Sequence, residues 1–70
     1  MQRKQWFKVW DTRIVLNNIK NYSLEDDGYR PCLYINTYQN DRFCFEADSD
    51  SESDYIRKKY EELDMLFGID

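Results

Sequence analysis

The acidic segment 48–54 is the part of this sequence whose spacing comes closest to that of a known chemical site. Four carboxylates alternate along it, at positions one, three, five and seven of a calcium-binding loop: Asp48, Asp50, Glu52 and Asp54. Such a loop also needs glycine at position six and glutamate at position twelve, where this chain has Ser53 and Lys59. Both defining features fail, so we expect no bound metal and no cofactor.

Nucleophilic catalysis lacks its usual components. The chain has no histidine and only two glycines. The thiols of Cys32 and Cys44 therefore have no histidine partner to activate them, and a glycine-rich phosphate loop cannot form. Acid–base work by a pair of carboxylates stays open on composition alone, but a small two-layer domain offers little room for a cleft. We therefore expect a protein that is not an enzyme.

The cysteines and the polar N-terminus indicate a compartment. Two cysteines without a signal peptide are typical of a reducing cytoplasm rather than of a secreted disulfide framework. No run approaches the roughly 18 apolar residues of a membrane span. We expect a cytoplasmic protein with no membrane association.

Aromatic residues and the charge distribution are the unusual parts of the composition. Twelve of the 70 residues are aromatic, and the net charge is −4. Residues 1–20 carry five basic residues and one acidic residue, whereas residues 21–70 carry five basic and thirteen acidic residues. An acidic region of this kind suits a basic partner, or it keeps the protein soluble.

Alternating side chains predict a first antiparallel hairpin. Residues 5–10 and 13–17 are expected to form strands joined at residues 11–12, with Trp10 paired to Arg13. This register gives one apolar face, made of Phe7, Val9, Ile14 and Leu16. Ile19 should fill the core at the bend that follows.

After a third strand over residues 20–25, a second hairpin is predicted from residues 32–38 and 42–47. A three-residue loop, 39–41, pairs Tyr38 with Arg42, with Asn40 or Asp41 left-handed. Its apolar face contains Leu33, Ile35, Phe43, Phe45 and Ala47. The two cysteines then lie about four ladder positions apart, too far for a disulfide, so both should be free thiols.

A helix is predicted over residues 52–67, because apolar residues recur there at helical spacing. Ser49 with Glu52, or Ser51 with Asp54, would cap its start, and Gly68 would end it. The chain should thus form one domain, 1–70, with its sheet over about residues 5–47. The fold class is α+β: an antiparallel meander of four to five strands with one C-terminal helix packed on one face.

Two surfaces remain as candidate sites for binding a protein. If the helix covers the apolar face, the outer sheet face keeps a set of exposed aromatic residues: Trp6, Trp10, Tyr34 and Tyr38. Tryptophan and tyrosine are enriched at interface hot spots. The acidic candidates lie around and along the helix: Asp48, Asp50, Glu52, Asp54, Glu61, Glu62 and Asp64.

The order of these features resembles a class of small acidic proteins of phages and mobile elements. The resemblance covers residues 5–67 and rests on an Asn-Asn-Ile bend, an acidic turn, a hairpin and the capped helix Ser-Glu-Ser-Asp-Tyr-Ile-Arg-Lys-Lys-Tyr-Glu-Glu-Leu. Some such proteins inhibit host-defence or nucleic-acid enzymes. The resemblance implies a location in the host cytoplasm and assigns no site residue.

Three functions follow as hypotheses. The first is a non-enzymatic protein-binding module, most concretely a phage-encoded inhibitor whose acidic and aromatic surfaces occupy a basic groove of a host enzyme. In the second, the chain is an accessory structural subunit or a homodimeric assembly protein, since two-fold self-association is common for such patches. The third is a small single-stranded nucleic-acid binder, which the net negative charge disfavours.

Overall fold

Five strands and one helix form the part of the chain that the structure describes. The computed structural model describes residues 6–68, and the order of its elements is β1 (Trp6–Val9), β2 (Thr12–Val15), β3 (Ile19–Glu25), β4 (Cys32–Thr37), β5 (Arg42–Glu46) and α1 (Asp50–Phe67). A 3-10 turn at Leu16–Asn18 separates β2 from β3. The prediction of antiparallel strands followed by a C-terminal helix is confirmed.

The strands form two sheets rather than the single meander that the sequence suggested. β1 and β2 pair only with each other, while β3, β4 and β5 form a three-stranded sheet in that order. The 3-10 turn changes the direction of the chain between the sheets. The backbone N–H of Tyr38 donates to the carbonyl of Asn18 over 2.9 Å, which ties this turn to the β4–β5 loop.

The first hairpin has its turn one residue earlier than predicted. Phe7 pairs with Ile14 and Lys8 with Arg13, so the expected pairing of Trp10 with Arg13 is wrong. The pairing moves by two residues, and side chains alternate with a period of two, so the same residues still face inward. Trp10 occupies the turn instead of a strand, with φ of 51°.

The second hairpin departs from the prediction in the same way. Its three-residue loop is 38–40, closed by the N–H of Thr37 donating to the carbonyl of Asp41 over 2.9 Å. Asn40 has φ of 70° and takes the left-handed conformation that such a loop needs. Pairing again moves by two residues, and Tyr34 lies directly opposite Cys44.

The core lies between the helix, the first hairpin and one face of the larger sheet. Its buried apolar residues come from both sheets and from the helix: Phe7, Val9, Ile14, Ile19, Leu33, Ile35, Phe45, Ala47, Ile56 and Leu63. Leu16 and Phe43, expected inside, are partly buried against this cluster. Both hairpins therefore present the apolar face that the alternation predicted.

Hydrogen bonds at both ends define the helix. It begins at Asp50, two residues before the predicted start, and Ser49 is its N-cap. The Ser49 hydroxyl accepts from the N–H of Glu52 over 3.2 Å, while the Glu52 carboxylate accepts from the N–H of Asp48 over 2.7 Å. Gly68 ends the helix with φ of 67°, where a left-handed residue favours glycine.

An ion pair fixes the β3–β4 turn against the helix. The Asp26 carboxylate accepts from Nε and NH2 of Arg57 over 2.7 and 3.1 Å. It also accepts from the backbone N–H of Gly28 over 2.9 Å. The Arg57 guanidinium, and after it the Gly28 N–H, lower the pKa of Asp26 to about 2.

Candidate protein-binding site

Trp10 is held at the tip of the first hairpin by the helix. Its indole stacks on Tyr55 at a centroid distance of 5.5 Å, and it meets the ring of Phe45 edge-on at 6.2 Å. The backbone N–H of Trp10 donates to the Tyr55 hydroxyl over 2.9 Å. Even with these contacts, 38% of Trp10 stays exposed, so the ring is both fixed and accessible.

Four acidic residues share an open concavity with Trp10. An open concavity of about 440 Å³, here called the Trp10 concavity, is lined by Trp10, Asp11, Glu46, Asp48 and Glu52. The four acids come from the hairpin turn, the end of β5, the β5–α1 connection and the start of α1. Among the described residues, those that line the Trp10 concavity include no basic side chain. It is therefore an aromatic surface with a negative rim.

Two cations lie near this surface, and one of them, Arg30, contacts Asp48 of its lining. Arg30 donates through NH1 to the carbonyl of Asp48, and the same nitrogen lies 4.0 Å from the Asp48 carboxylate. Lys59 lies over the rings of Phe7 and Tyr55, at 5.2 and 5.6 Å from their centroids. Lys59 thus contacts the same Tyr55 ring on which the Trp10 indole stacks, through cation–π attraction.

A second concavity continues the acidic surface along the outer face of the larger sheet. Its volume is about 630 Å³, and its lining consists of Glu25, Asp26, Asp27, Arg30, Cys32, Tyr34, Cys44 and Glu46. Glu46 lines both concavities. The acidic surface therefore runs from the hairpin tip, past β5, to the β3–β4 turn.

The four predicted aromatic residues do not share one sheet face. Trp6 is 51% exposed on the outer face of the first hairpin, opposite Val15. Trp10 lies in the turn, and Tyr38 is exposed in the β4–β5 loop. Tyr34 lies on the outer face of the larger sheet, where its hydroxyl donates to Glu25 and Arg42 covers its ring at 4.6 Å. Because the sheet is divided, the single aromatic face that the sequence suggested does not form.

The predicted acidic residues separate into three groups. Asp48 and Glu52 line the Trp10 concavity, and Asp50 and Asp54 are exposed in the first turns of the helix. Farther along the helix the carboxylates have different surroundings, at the positions Glu61, Glu62 and Asp64.

The acids toward the helix C-terminus have local structural contacts. Asp64 accepts from the Tyr22 hydroxyl over 2.8 Å, and burial together with this carboxylate raises the pKa of Tyr22 to about 12. Glu62 accepts from Lys59 over 3.3 Å, and Glu61 is exposed. Asp64 links the helix to Tyr22 of β3, and Glu62 pairs with Lys59 within the helix. Both are therefore poor candidates for recognising a partner.

Sequence reasoning missed Asp11 and Glu46 as site residues. Asp11 was assigned to a turn, which is correct, but that turn was placed one residue too late and Trp10 was assigned to a strand. Glu46 lies in the predicted strand 42–47 and was not assigned to any site. A two-residue turn at Trp10-Asp11 places both side chains at the tip of the hairpin. Considering this turn position in the sequence would have indicated that Trp10 and Asp11 lie together.

Neither a membrane helix nor a metal cluster is found in residues 6–68. No helix in this range is long and apolar enough to cross a bilayer. Nor do three or more histidine, cysteine, aspartate or glutamate side chains converge there in a way that could hold a metal ion.

Comparisons with known proteins give no further guidance. No family model matches the chain, and searches of curated proteins and of solved structures give no significant match. Any function is therefore inferred from the residues and the geometry of the chain itself.

Proposed function

We propose that this protein is a non-enzymatic binding module that docks a basic segment of a partner protein at the Trp10 concavity. One observation carries the proposal: an accessible tryptophan, fixed at a hairpin tip, lines the same concavity as four acidic residues from separate segments of the chain. A guanidinium or ammonium group placed there meets an aromatic face and negative charge together.

The chemistry of the site favours arginine over other side chains of a partner. A guanidinium stacks on an indole face and pairs with carboxylates through two parallel hydrogen bonds. Cation–π attraction contributes about 0.5–2 kcal/mol, depending on desolvation. Tryptophan is also among the residues most enriched at interface hot spots. Several such contacts together would give a specific complex.

The backbone of Trp10 supports a binding role as well. A φ of 51° in a bulky residue is an outlier, because the left-handed region costs an L-residue about 1–2 kcal/mol. Glycine or asparagine would occupy this turn position with less strain. Strained residues cluster at functional sites, where the surrounding structure holds them in place. Here the stacking on Tyr55 and the hydrogen bond to its hydroxyl hold Trp10.

The acidic surface indicates which class of partner fits. It extends beyond the Trp10 concavity through Glu46 to Glu25, Asp26 and Asp27, so its charge complements an extended basic surface. Enzymes that act on nucleic acids carry such grooves to neutralise phosphates. In its more specific form, the proposal is an inhibitor of a host nucleic-acid or defence enzyme, consistent with the resemblance to small acidic proteins of phages.

Two single substitutions with the same chemistry test the proposal. Glu46→Gln removes a carboxylate from the Trp10 concavity, whereas Glu61→Gln makes the same change at an exposed helix position. The probe is an arginine-rich peptide blocked at both ends, titrated calorimetrically at low salt. We expect Glu46→Gln to raise the Kd by about 2- to 5-fold, the range for one partly exposed ion pair, and Glu61→Gln to change it little. Equal effects would show nonspecific charge attraction and contradict the proposal.

Self-association is a second candidate, favoured by the outer face of the first hairpin. That face pairs Trp6 with Val15 and Lys8 with Arg13, and all four side chains are exposed. It is basic and apolar, so it complements the acidic Trp10 concavity of a second copy.

Sedimentation equilibrium of the full chain at several concentrations and two salt levels tests this candidate. A dimer that dissociates as salt rises, and that Lys8→Glu abolishes, supports it. A monomer at every concentration, in both low and high salt, contradicts it.

A further inference from the structure

The two cysteines lie next to each other on the outer face of the larger sheet. Tyr34 pairs with Cys44 and Cys32 pairs with Glu46, so the cysteines are diagonal neighbours on β4 and β5. Their Sγ atoms are 3.0 Å apart. The expectation that they lie four ladder positions apart is wrong, because the register of the hairpin moves by two residues. Both are free thiols, as expected, but they form a pair.

The twist of the sheet explains the short separation. Diagonal neighbours on adjacent strands are on average about 7–8 Å apart between Cα atoms. A right-handed twist rotates each strand against the next, which shortens one diagonal and lengthens the other. Cys32 and Asn36 are the two diagonal neighbours of Cys44 on β4, and the 3.0 Å between the sulfurs of Cys32 and Cys44 indicates that Cys32 is on the short diagonal. A disulfide needs an S–S distance of about 2.05 Å, so small side-chain rotations would bring the sulfurs together.

We propose that Cys32 and Cys44 form a reversible disulfide bond that links β4 to β5, with a low-molecular-weight disulfide of the glutathione class as the oxidant. This is a covalent modification site that does not depend on the binding role proposed above. It lies in the second concavity, whose lining includes both sulfurs and Glu46. Oxidation would thus fix the strand that carries Glu46.

The chemistry proceeds by two exchange steps. The more exposed thiol, Cys44, loses its proton and attacks one sulfur of the small disulfide, so that a mixed disulfide forms and one small thiolate leaves. Cys32 then loses its proton and attacks the Cys44 sulfur, which releases the second small thiolate. The two protons end on the two small thiols. Two protein thiols are oxidised to one disulfide, and one small disulfide is reduced to two thiols.

The order of attack follows from the surroundings of each sulfur. Cys32 is half-buried, whereas Cys44 is exposed. Burial, and after it the contact with Cys44, raise the pKa of the Cys32 thiol to about 11. Only the thiolate is nucleophilic, so Cys32 is a poor first attacker. Once Cys44 carries the mixed disulfide, its sulfur is the electrophile closest to Cys32, and proximity favours the second step.

Intact mass and thiol alkylation of the full chain test this proposal directly. The reduced protein is incubated with oxidised glutathione at about pH 8, quenched with acid and treated with a maleimide. We expect a monomer that has lost two hydrogens, retains no glutathione, takes up no maleimide and regains both thiols with dithiothreitol. Stable glutathione adducts on the unaltered chain, two alkylated thiols, or a disulfide between two chains would each overturn the proposal.

Two sets of variants complete the experiment. In Cys32→Ser the second step is blocked, so the glutathione adduct on Cys44 should persist. The double variant Cys32→Ser/Asn36→Cys keeps two thiols on the same sheet face but moves one to the long diagonal. Its intramolecular bond should form at least about tenfold more slowly, with folding checked by circular dichroism. Equally fast closure in both pairs would show that the geometry of Cys32 and Cys44 is not special.

Discussion

Trp10 combines a strained backbone, aromatic packing and partial exposure to solvent. Its positive φ disfavours any residue with a Cβ, while its ring packs on Tyr55 and Phe45. A smaller side chain would lose these contacts. The balance between the two effects can be measured, because alanine keeps the strain of the positive φ and glycine does not.

Replacing Trp10 separates strain from packing. We expect Trp10→Ala to lower the free energy of unfolding by about 1–3 kcal/mol, because the ring contacts are lost. Trp10→Gly should lower it by about 1 kcal/mol less, since glycine adopts a positive φ without a Cβ penalty. Urea denaturation measures both variants. If the alanine variant is as stable as the glycine variant, the backbone at Trp10 carries no strain.

Asp26 and Arg57 give the molecule a definite pH response. The pKa of Asp26 is lowered from 3.8 to about 2 in the folded protein. A carboxyl whose folded pKa is depressed stabilises the native state above its unfolded pKa, and that contribution is lost as the pH falls through the folded pKa. The window is therefore about pH 4 down to about pH 2.

The variant Asp26→Asn tests this response. At neutral pH the unaltered protein should have the higher Tm, and the difference should shrink steadily between about pH 4 and pH 2. The side-chain oxygen of asparagine can still accept the hydrogen bond from the N–H of Gly28, so the variant keeps the turn. Thermal unfolding at several pH values measures the difference. A Tm difference that does not change with pH would mean that the ion pair with Arg57 is not its source.

At the scale of the elements, the start of the helix depends on one hydroxyl. Ser49 accepts from the N–H of Glu52, so Ser49→Ala should lower the free energy of unfolding by about 1 kcal/mol. Ser51→Ala, one turn position inside the helix, is the matched control and should change it by less than about 0.5 kcal/mol. Chemical denaturation compares the two variants. A larger effect at Ser51 would contradict the assignment of Ser49 as the N-cap.

The hairpins show what the sequence can and cannot predict about strands. Alternation of apolar residues determines which face of a strand is buried, and Phe7, Ile14, Leu33 and Ile35 were predicted correctly on that basis. Alternation is unchanged when a strand slips by two residues, so it does not determine which residues pair. The turn decides the pairing, and both turns were predicted one residue too late in the chain.

That error in pairing determined what was missed at the functional sites. With the observed register, Cys44 lies opposite Tyr34 and contacts Cys32, and Trp10 leaves the strand for the turn. The end of the helix was easier to predict, because Gly68 marks it by its own chemistry, whereas the start was left open between Ser49 and Ser51 and was placed two residues too late. Glu46 could not be identified as a site residue, since only the tertiary fold brings β5 beside the hairpin tip.

At the scale of the whole molecule, the chain separates its charges as well as its apolar groups. The outer face of the first hairpin carries Lys8 and Arg13, while acids from four other segments meet along the Trp10 concavity and the second concavity. A charge distribution of this kind speeds association with a basic partner and makes it sensitive to salt. Because the acids are concentrated there, the electrostatic potential at the two concavities is more negative than the net charge of −4 suggests.

Fluorescence of Trp10 alone tests the central claim most directly. Trp6→Phe leaves Trp10 as the sole indole, and Trp10→Phe leaves Trp6 as the matched reporter. Each variant is titrated with a blocked arginine-rich peptide and with the same peptide carrying citrulline in place of arginine. We expect saturable quenching or a spectral shift of Trp10 with the arginine peptide only, lost at high salt, and no change at Trp6. A Trp10 signal that does not respond, or that responds equally to citrulline, would contradict recognition of a basic partner at the Trp10 concavity.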